Sequence, residues 1–143
     1  MGNVTASVEL AASPEEVWAV FADPANFEKW LTIHTKWKGD VPAEFTVGSK
    51  VSEVVTMLGM ANTIEWTVDE YSAPSRLAIS GTGMAGVKVA FQLSVAPTGA
   101  GSTASIAAEF TGQMIVGALG KAVEKDAKKN LDESLANFAK LVA

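Results

Sequence analysis

Cysteine is absent from the 143 residues, and histidine occurs once. The first absence excludes disulfide stapling, iron–sulfur ligation and thiolate nucleophiles, and it fits a reducing cytoplasm, the expected location. The second leaves transition-metal sites without their usual ligands, so no metal and no cofactor is expected. No apolar run approaches the roughly 20 residues of a membrane span, and residues 1–12 lack the basic start and unbroken apolar stretch of a signal peptide. Stable membrane insertion is therefore not expected. Positive charge is also scarce. Eleven Lys and Arg against sixteen Asp and Glu leave a net charge of −5, which argues against nucleic acid as a partner.

What the chain has in quantity is apolar surface. Hydrophobic residues make up 48% and charged residues 19%, with a mean hydropathy of +0.21. A chain of this length is expected to form one domain, residues 1–143, burying roughly 68–70% of its unfolded surface. The apolar surplus fits either a large core or a cavity with apolar walls.

The order of the parts is the most informative feature. Val4, Ala6, Val8 and Leu10 alternate with Thr5, Ser7 and Glu9, the period of a strand with one buried face. Ser13-Pro14-Glu15-Glu16 is a helix start: a cap, a proline at the first position and a capping-box carboxylate. Asp23-Pro24 repeats the signal, and Phe27, Trp30 and Leu31 supply a second short helix with its apolar stripe. His34 to Trp37 reads as a short strand. Lys50–Leu58, Ala61–Tyr71, Arg76–Ser80, Val87–Val95 and Thr103–Phe110 follow as strands on short connections, Gly81–Gly86 and Pro97–Gly101 among them, which implies antiparallel hairpins. A helix of about thirty residues, from near Gln113 to Val142, closes the chain. It carries Val116, Leu119, Val123, Ala127, Leu131, Leu135, Phe138 and Val142 at spacings of three or four.

That order, with the wording Val8-Glu9-Leu10, Ala12-Ser13-Pro14-Glu15-Glu16-Val17-Trp18, Asp23-Pro24 and Trp30, resembles the START/Bet v 1-like (SRPBCC) superfamily. Within it, the chain looks most like bacterial polyketide cyclase/dehydrase-type members. The resemblance implies an α+β helix-grip fold: a curved antiparallel sheet of six to seven strands around a long C-terminal helix, with two short helices after the first strand. It also implies an apolar small molecule, such as a lipid, polyketide or aromatic metabolite, held between sheet and helix. Some relatives are toxins of toxin–antitoxin pairs, which adds an antitoxin-like protein partner or a homodimer to the readings.

A two-residue turn at Gly59-Met60 would pair Leu58 with Ala61, Val55 with Ile64 and Glu53 with Trp66. Val51, Glu53, Val55 and Met57 would then share the inward face with Asn62, Ile64, Trp66 and Val68. Glu53 is the unexpected member of this oily wall, and a slip of one residue would turn it outward. His34 could pair with Glu53 as an acid–base couple, anchor a polar ligand group, or be structural, either an exposed loop residue or a core ring bonded to backbone. Trp30, Trp37 and Trp66 form either a stacking wall for a flat ligand or ordinary core packing. The expected ligand-binding set comprises Trp30, His34, Trp37, Glu53 and Trp66 with Val55, Met57, Asn62, Ile64, Ile79, Phe91, Phe110, Met114, Leu119 and Val123. Glu53 and His34 are the catalytic candidates. Three readings follow: a binder or carrier of a hydrophobic molecule, a cyclase or dehydratase using Glu53 or His34, and a toxin-like interaction protein.

Overall fold

The computed structural model describes residues 2–42, 44–57, 59–83, 86–112 and 117–142. Seven strands form one antiparallel sheet: β1 (Gly2–Leu10), β2 (His34–Lys38), β3 (Lys50–Met57), β4 (Met60–Ser72), β5 (Arg76–Thr82), β6 (Lys88–Thr98) and β7 (Gly101–Thr111). Their spatial order is β1-β7-β6-β5-β4-β3-β2, so the first two strands in sequence are the two edges. Helix α1 (Pro14–Phe21), a 3-10 turn (Pro24–Asn26) and the single-turn α2 (Phe27–Trp30) fill the passage between those edges, and α3 (Gly117–Val142) closes the fold. The sheet curls as a half-barrel around α3. This is the α+β helix-grip architecture, with seven strands.

Local chemistry explains the elements. Ser13 Oγ accepts the Glu16 backbone N–H at 3.3 Å and donates to the Glu16 carboxylate at 3.0 Å, capping α1. Asp23 accepts the Ala25 N–H at 2.9 Å, but the second helix is shorter than its signal suggested. Three residues from Pro24 close as a tight 3-10 turn before one α-helical turn. Alternation is strictest on β6 and β7, where Val89, Phe91, Leu93 and Val95 and then Ser102, Ala104, Ile106, Ala108 and Phe110 are buried.

The β6–β7 connection is tighter than expected. Both strands run on until Thr98 pairs with Gly101, with Pro97 inside the ladder opposite Ser102. Proline is tolerated because the Val95 N–H already reaches Ser75, just before β5 begins; two residues on, no β5 carbonyl remains to be served. Helix α3 spans 26 residues, about 39 Å at 1.5 Å per residue. Its expected beginning near Gln113, with Val116, lies outside the described residues. Gly117 has φ of +58°, a left-handed conformation that glycine takes without steric penalty, so it serves as the entry to the helix.

The grip is polar at its seam and apolar beneath. Thr32 donates its N–H to Ser134 Oγ at 2.9 Å and its hydroxyl to Asn130 Oδ1 at 2.8 Å, tying the start of β2 to α3. Lys128 Nζ donates to the Thr5 carbonyl at 2.9 Å, shielding part of the β1 edge. Beneath, Phe138 from α3 packs tilted against Phe21 and edge-on against Trp30, at 4.8 and 5.5 Å between centroids. Val123, Ala127, Leu131 and Leu135 complete the buried stripe of the helix.

Candidate functional site

The β3–β4 hairpin positions the polar centre of the interior. Met57 pairs with Met60, so Glu53 faces Ile64, Val55 faces Asn62 and Val51 faces Trp66. This corrects the expected turn at Gly59-Met60, which had set Glu53 against Trp66. The reversal centres one residue earlier because Gly59 takes the positive φ (+75°) that such a tight turn demands, leaving Met60 free to start β4. The pairing moves by two residues, which preserves the faces. Glu53 therefore looks inward and is 1% exposed.

A buried carboxylate needs donors, and Glu53 has two. Trp66 Nε1 donates to Oε1 at 2.8 Å, diagonally across the hairpin, and His34 Nδ1 contacts Oε2 directly. His34 reaches this position through a register shift between His34 and Lys36, which puts both His34 and Trp37 on the inner face of β2. The imidazole sits against Trp37 at 5.0 Å and edge-on to Phe27 at 6.3 Å. Trp37 is pinned by its indole N–H, which donates to the Pro24 carbonyl at 3.0 Å. Trp66, Glu53, His34 and Trp37 are thus one connected group.

The three tryptophans do not make a single wall. Trp30 belongs to the Phe21–Phe138 cluster and is 1% exposed. Its indole N–H is buried without a hydrogen-bond partner among the described residues. Trp66 instead stacks on Phe91 at 5.2 Å, and Trp37 lies between His34, Phe27 and Phe45.

Between the sheet and α3, Ile33, Met57, Phe91, Ala108, Phe110, Ala127 and Leu131 line an apolar seam too narrow for a water-sized sphere. The open hollow suggested by the sequence is, in this structure, a seam nearly filled by side chains. Of the expected lining, Met57, Phe91 and Phe110 are there. Val55, Ile64, Ile79 and Val123 are buried in the surrounding core, and Asn62 is half-buried on the inner face of β4 beneath Gly83. Leu119 is 40% exposed; the buried position of that first turn falls to Gly120, three residues before Val123, where the expected stripe resumes. Met114 lies outside the described residues. Ile33, Ala108, Ala127 and Leu131 were not anticipated as lining, although the last two stand on the apolar stripe of the helix.

A second concavity lies elsewhere, a groove of about 410 Å³ on the outer face of the sheet. Small residues Ser80, Gly81 and Ala90 make its floor, and Glu65, Lys88 and Glu109 stand around it. An apolar guest would gain little there, since its walls are polar and wet. Among the described residues no three acidic or histidine side chains gather as a metal site, and no helix is long and apolar enough to cross a membrane.

Comparison with known proteins matches this arrangement. A Mycobacterium tuberculosis protein named as a toxin is 33% identical over 143 residues, covering 100% of this chain and 99% of that one. An uncharacterised protein of the same organism is 30% identical over 141 residues, covering 99% of each. A crystal structure from Thermus thermophilus shares the fold with a TM-score of 0.79 at 19% identity, over 98% of this chain and 96% of that one. The model of the polyketide cyclase/dehydrase and lipid transport family matches residues 1–143, and the chain belongs to that family.

Proposed function

We propose that the protein binds an apolar small molecule between the inner face of the sheet and α3. The observation that carries this reading is the apolar seam at that interface, whose seven lining residues offer only hydrocarbon and one thioether. The seam has no room for a water-sized sphere as it stands, so a guest enters only where the lining parts. Met57, with its flexible thioether, is suited to such yielding. Each Å² of apolar ligand surface buried would contribute about 25 cal/mol. The family description, which covers both cyclases and lipid transport, supports the same class of ligand.

The cyclase or dehydratase alternative needs His34 or Glu53 to reach a reacting atom. Their side chains are 3% and 2% exposed, so binding is the reading that geometry supports better. Naphthalene titrated against the protein, followed by tryptophan fluorescence, tests it. Saturable binding that weakens at least tenfold in Ala108→Leu, where the added side chain occupies the seam, is the expected result. Equal affinity in both proteins would place the guest elsewhere.

The toxin name of the mycobacterial relative favours a second reading, a protein partner. Co-expression with the product of a neighbouring small reading frame and recovery of a stoichiometric complex is its test. Separate elution of the two proteins would count against it.

A further inference from the structure

Helix α3 bridges the two edges of the sheet, and its two sides are held differently. On the β1 side Lys128 Nζ donates to the Thr5 carbonyl, and no β1 residue lines the apolar seam. On the β2 side the ties come from Thr32, and they adjoin the seam. Ile33, in the lining, follows Thr32, and Leu131, also in the lining, follows Asn130.

The protons at this junction can be assigned. Ser134 Oγ donates to the Asn130 carbonyl at 2.6 Å within its own helix. Towards Thr32 it can therefore only accept, and it takes the Thr32 N–H at 2.9 Å. Asn130 is turned by Asp126, whose carbonyl and carboxylate accept its amide N–H groups at 2.9 and 3.2 Å. Its Oδ1 is left to accept the Thr32 hydroxyl at 2.8 Å.

Releasing these bonds strands no donor. The Ser134 proton stays on the helix, and Thr32 is exposed, so water takes over its N–H and hydroxyl. What draws the junction shut is apolar: Leu31 and Ile33, on either side of Thr32, are buried. Residues 31–34 stay with the sheet, because the Thr56 N–H donates to the Ile33 carbonyl at 2.8 Å. Beyond the junction, Asn137 donates to the Trp30 carbonyl at 3.4 Å, and Phe138 is held by Phe21 and Trp30. Strands β6 and β7, which supply Phe91, Ala108 and Phe110 to the lining, have a hydrogen-bonded neighbour on each side and do not separate. The seam thus parts at least cost between Thr32 and α3.

We propose that Thr32, Asn130 and Ser134 form a latch, and that its release parts α3 from residues 31–34 and lets an apolar guest into the seam. Thr32 sets the rate of entry and exit and leaves affinity to the lining. This regulation rests on the apolar-guest reading above, and the two are tested separately.

The first measurement needs no guest. The chain has no cysteine, so Ala127→Cys puts a single thiol on the helix side of the seam. Its rate of reaction with excess dithionitrobenzoate follows the open population. Adding Thr32→Val, which keeps the branched shape without the hydroxyl, should raise that rate about tenfold, the worth of one hydrogen bond. Adding Lys128→Met, on the β1 side, should leave it within about twofold, as for an exposed charge. A thiol placed by Ala104→Cys, buried on β7 outside the lining, should react no faster with Thr32→Val than without it. Equal acceleration at both thiols would mean general loosening and overturns the latch, as does an unchanged rate at position 127.

The second measurement is stopped-flow mixing with naphthalene in proteins that keep Ala127. Association and dissociation should both quicken about tenfold in Thr32→Val, with affinity within about twofold of wild type, because a latch that touches no guest favours neither bound nor free protein. Ser134→Ala, which removes the acceptor of the Thr32 N–H, should act alike should the first variant fold poorly. Weaker affinity at an unchanged association rate would make Thr32 part of the binding surface and overturns the latch. Faster thiol reaction without naphthalene binding keeps the opening and removes the guest reading. Unchanged thiol reaction with naphthalene bound does the reverse.

Discussion

Trp66 donates its indole N–H to Glu53 at 2.8 Å although the two are not cross-strand partners; Val51 faces Trp66 and Ile64 faces Glu53. The bond is diagonal, within reach of a long aromatic side chain on one face of an antiparallel pair. It anchors a carboxylate in a wall otherwise made of Val51, Val55, Ile64 and Val68, and it leaves the second oxygen for His34. Three strands, β2, β3 and β4, are stitched by this one side chain.

Removing the acceptor should be costly. Glu53→Ala leaves two enclosed donors unpaired, and loss of one partner from a buried polar pair typically costs about 3–5 kcal/mol. Urea denaturation should show a loss of that size. A change below about 1 kcal/mol would mean that water already serves these groups.

Trp66→Phe removes one donor and keeps much of the ring stacked on Phe91. The carboxylate oxygen left alone should cost about 1–3 kcal/mol. The double variant Trp66→Phe with Glu53→Ala should be less destabilised than the sum of the singles, because both act on one contact. Strict additivity would mean that the pair is not coupled.

Ala127 faces the seam from α3, and the sign of its enlargement is informative. Inserting methylenes into a filled core costs about 1–3 kcal/mol, whereas filling a void recovers burial at about 0.8 kcal/mol per methylene. Because the seam has no room for a water-sized sphere, Ala127→Leu is expected to lower the thermal midpoint by a few degrees in a scanning calorimeter. A rise would show that the seam has room to spare.

Gly81 allows β5 to lie close against β4: a Cβ there would sit 2.5 Å from the Glu65 carbonyl oxygen and 2.7 Å from Ile64 Cγ2. The first of these atoms is backbone and cannot turn aside. Gly81→Ala should destabilise by about 1–3 kcal/mol in chemical denaturation, and the neutral outcome would require β5 to shift outward.

Ser13 holds the first helix through a cap rather than a core contact. Ser13→Ala should lose about 1 kcal/mol, with Ser13→Asp retaining most of it. Equal loss in both would assign the effect to something other than the accepted N–H.

How much of this was legible beforehand follows from the range of the forces involved. Alternation on β1, β6 and β7, the Ser13 and Asp23 caps, and the long amphipathic stripe of α3 are written in residues at most four positions apart. They specified element types and order, and through them the family and its architecture. The capping signal at Asp23 could not show that the turn would close as a 3-10 helix, since that depends on how Phe27 and Trp30 meet Phe21 and Phe138.

Only the assembled tertiary structure decided what stands beside Glu53 and how much space the sheet leaves to the helix. The face of Glu53 rested on a turn whose centre moved by one residue, and its partners come from positions 13 and 19 residues away in sequence. Whether two apolar layers leave room for a guest depends on side-chain volumes summed across β3, β6, β7 and α3. Local sequence carries pattern, and volume and register are properties of the whole packed molecule.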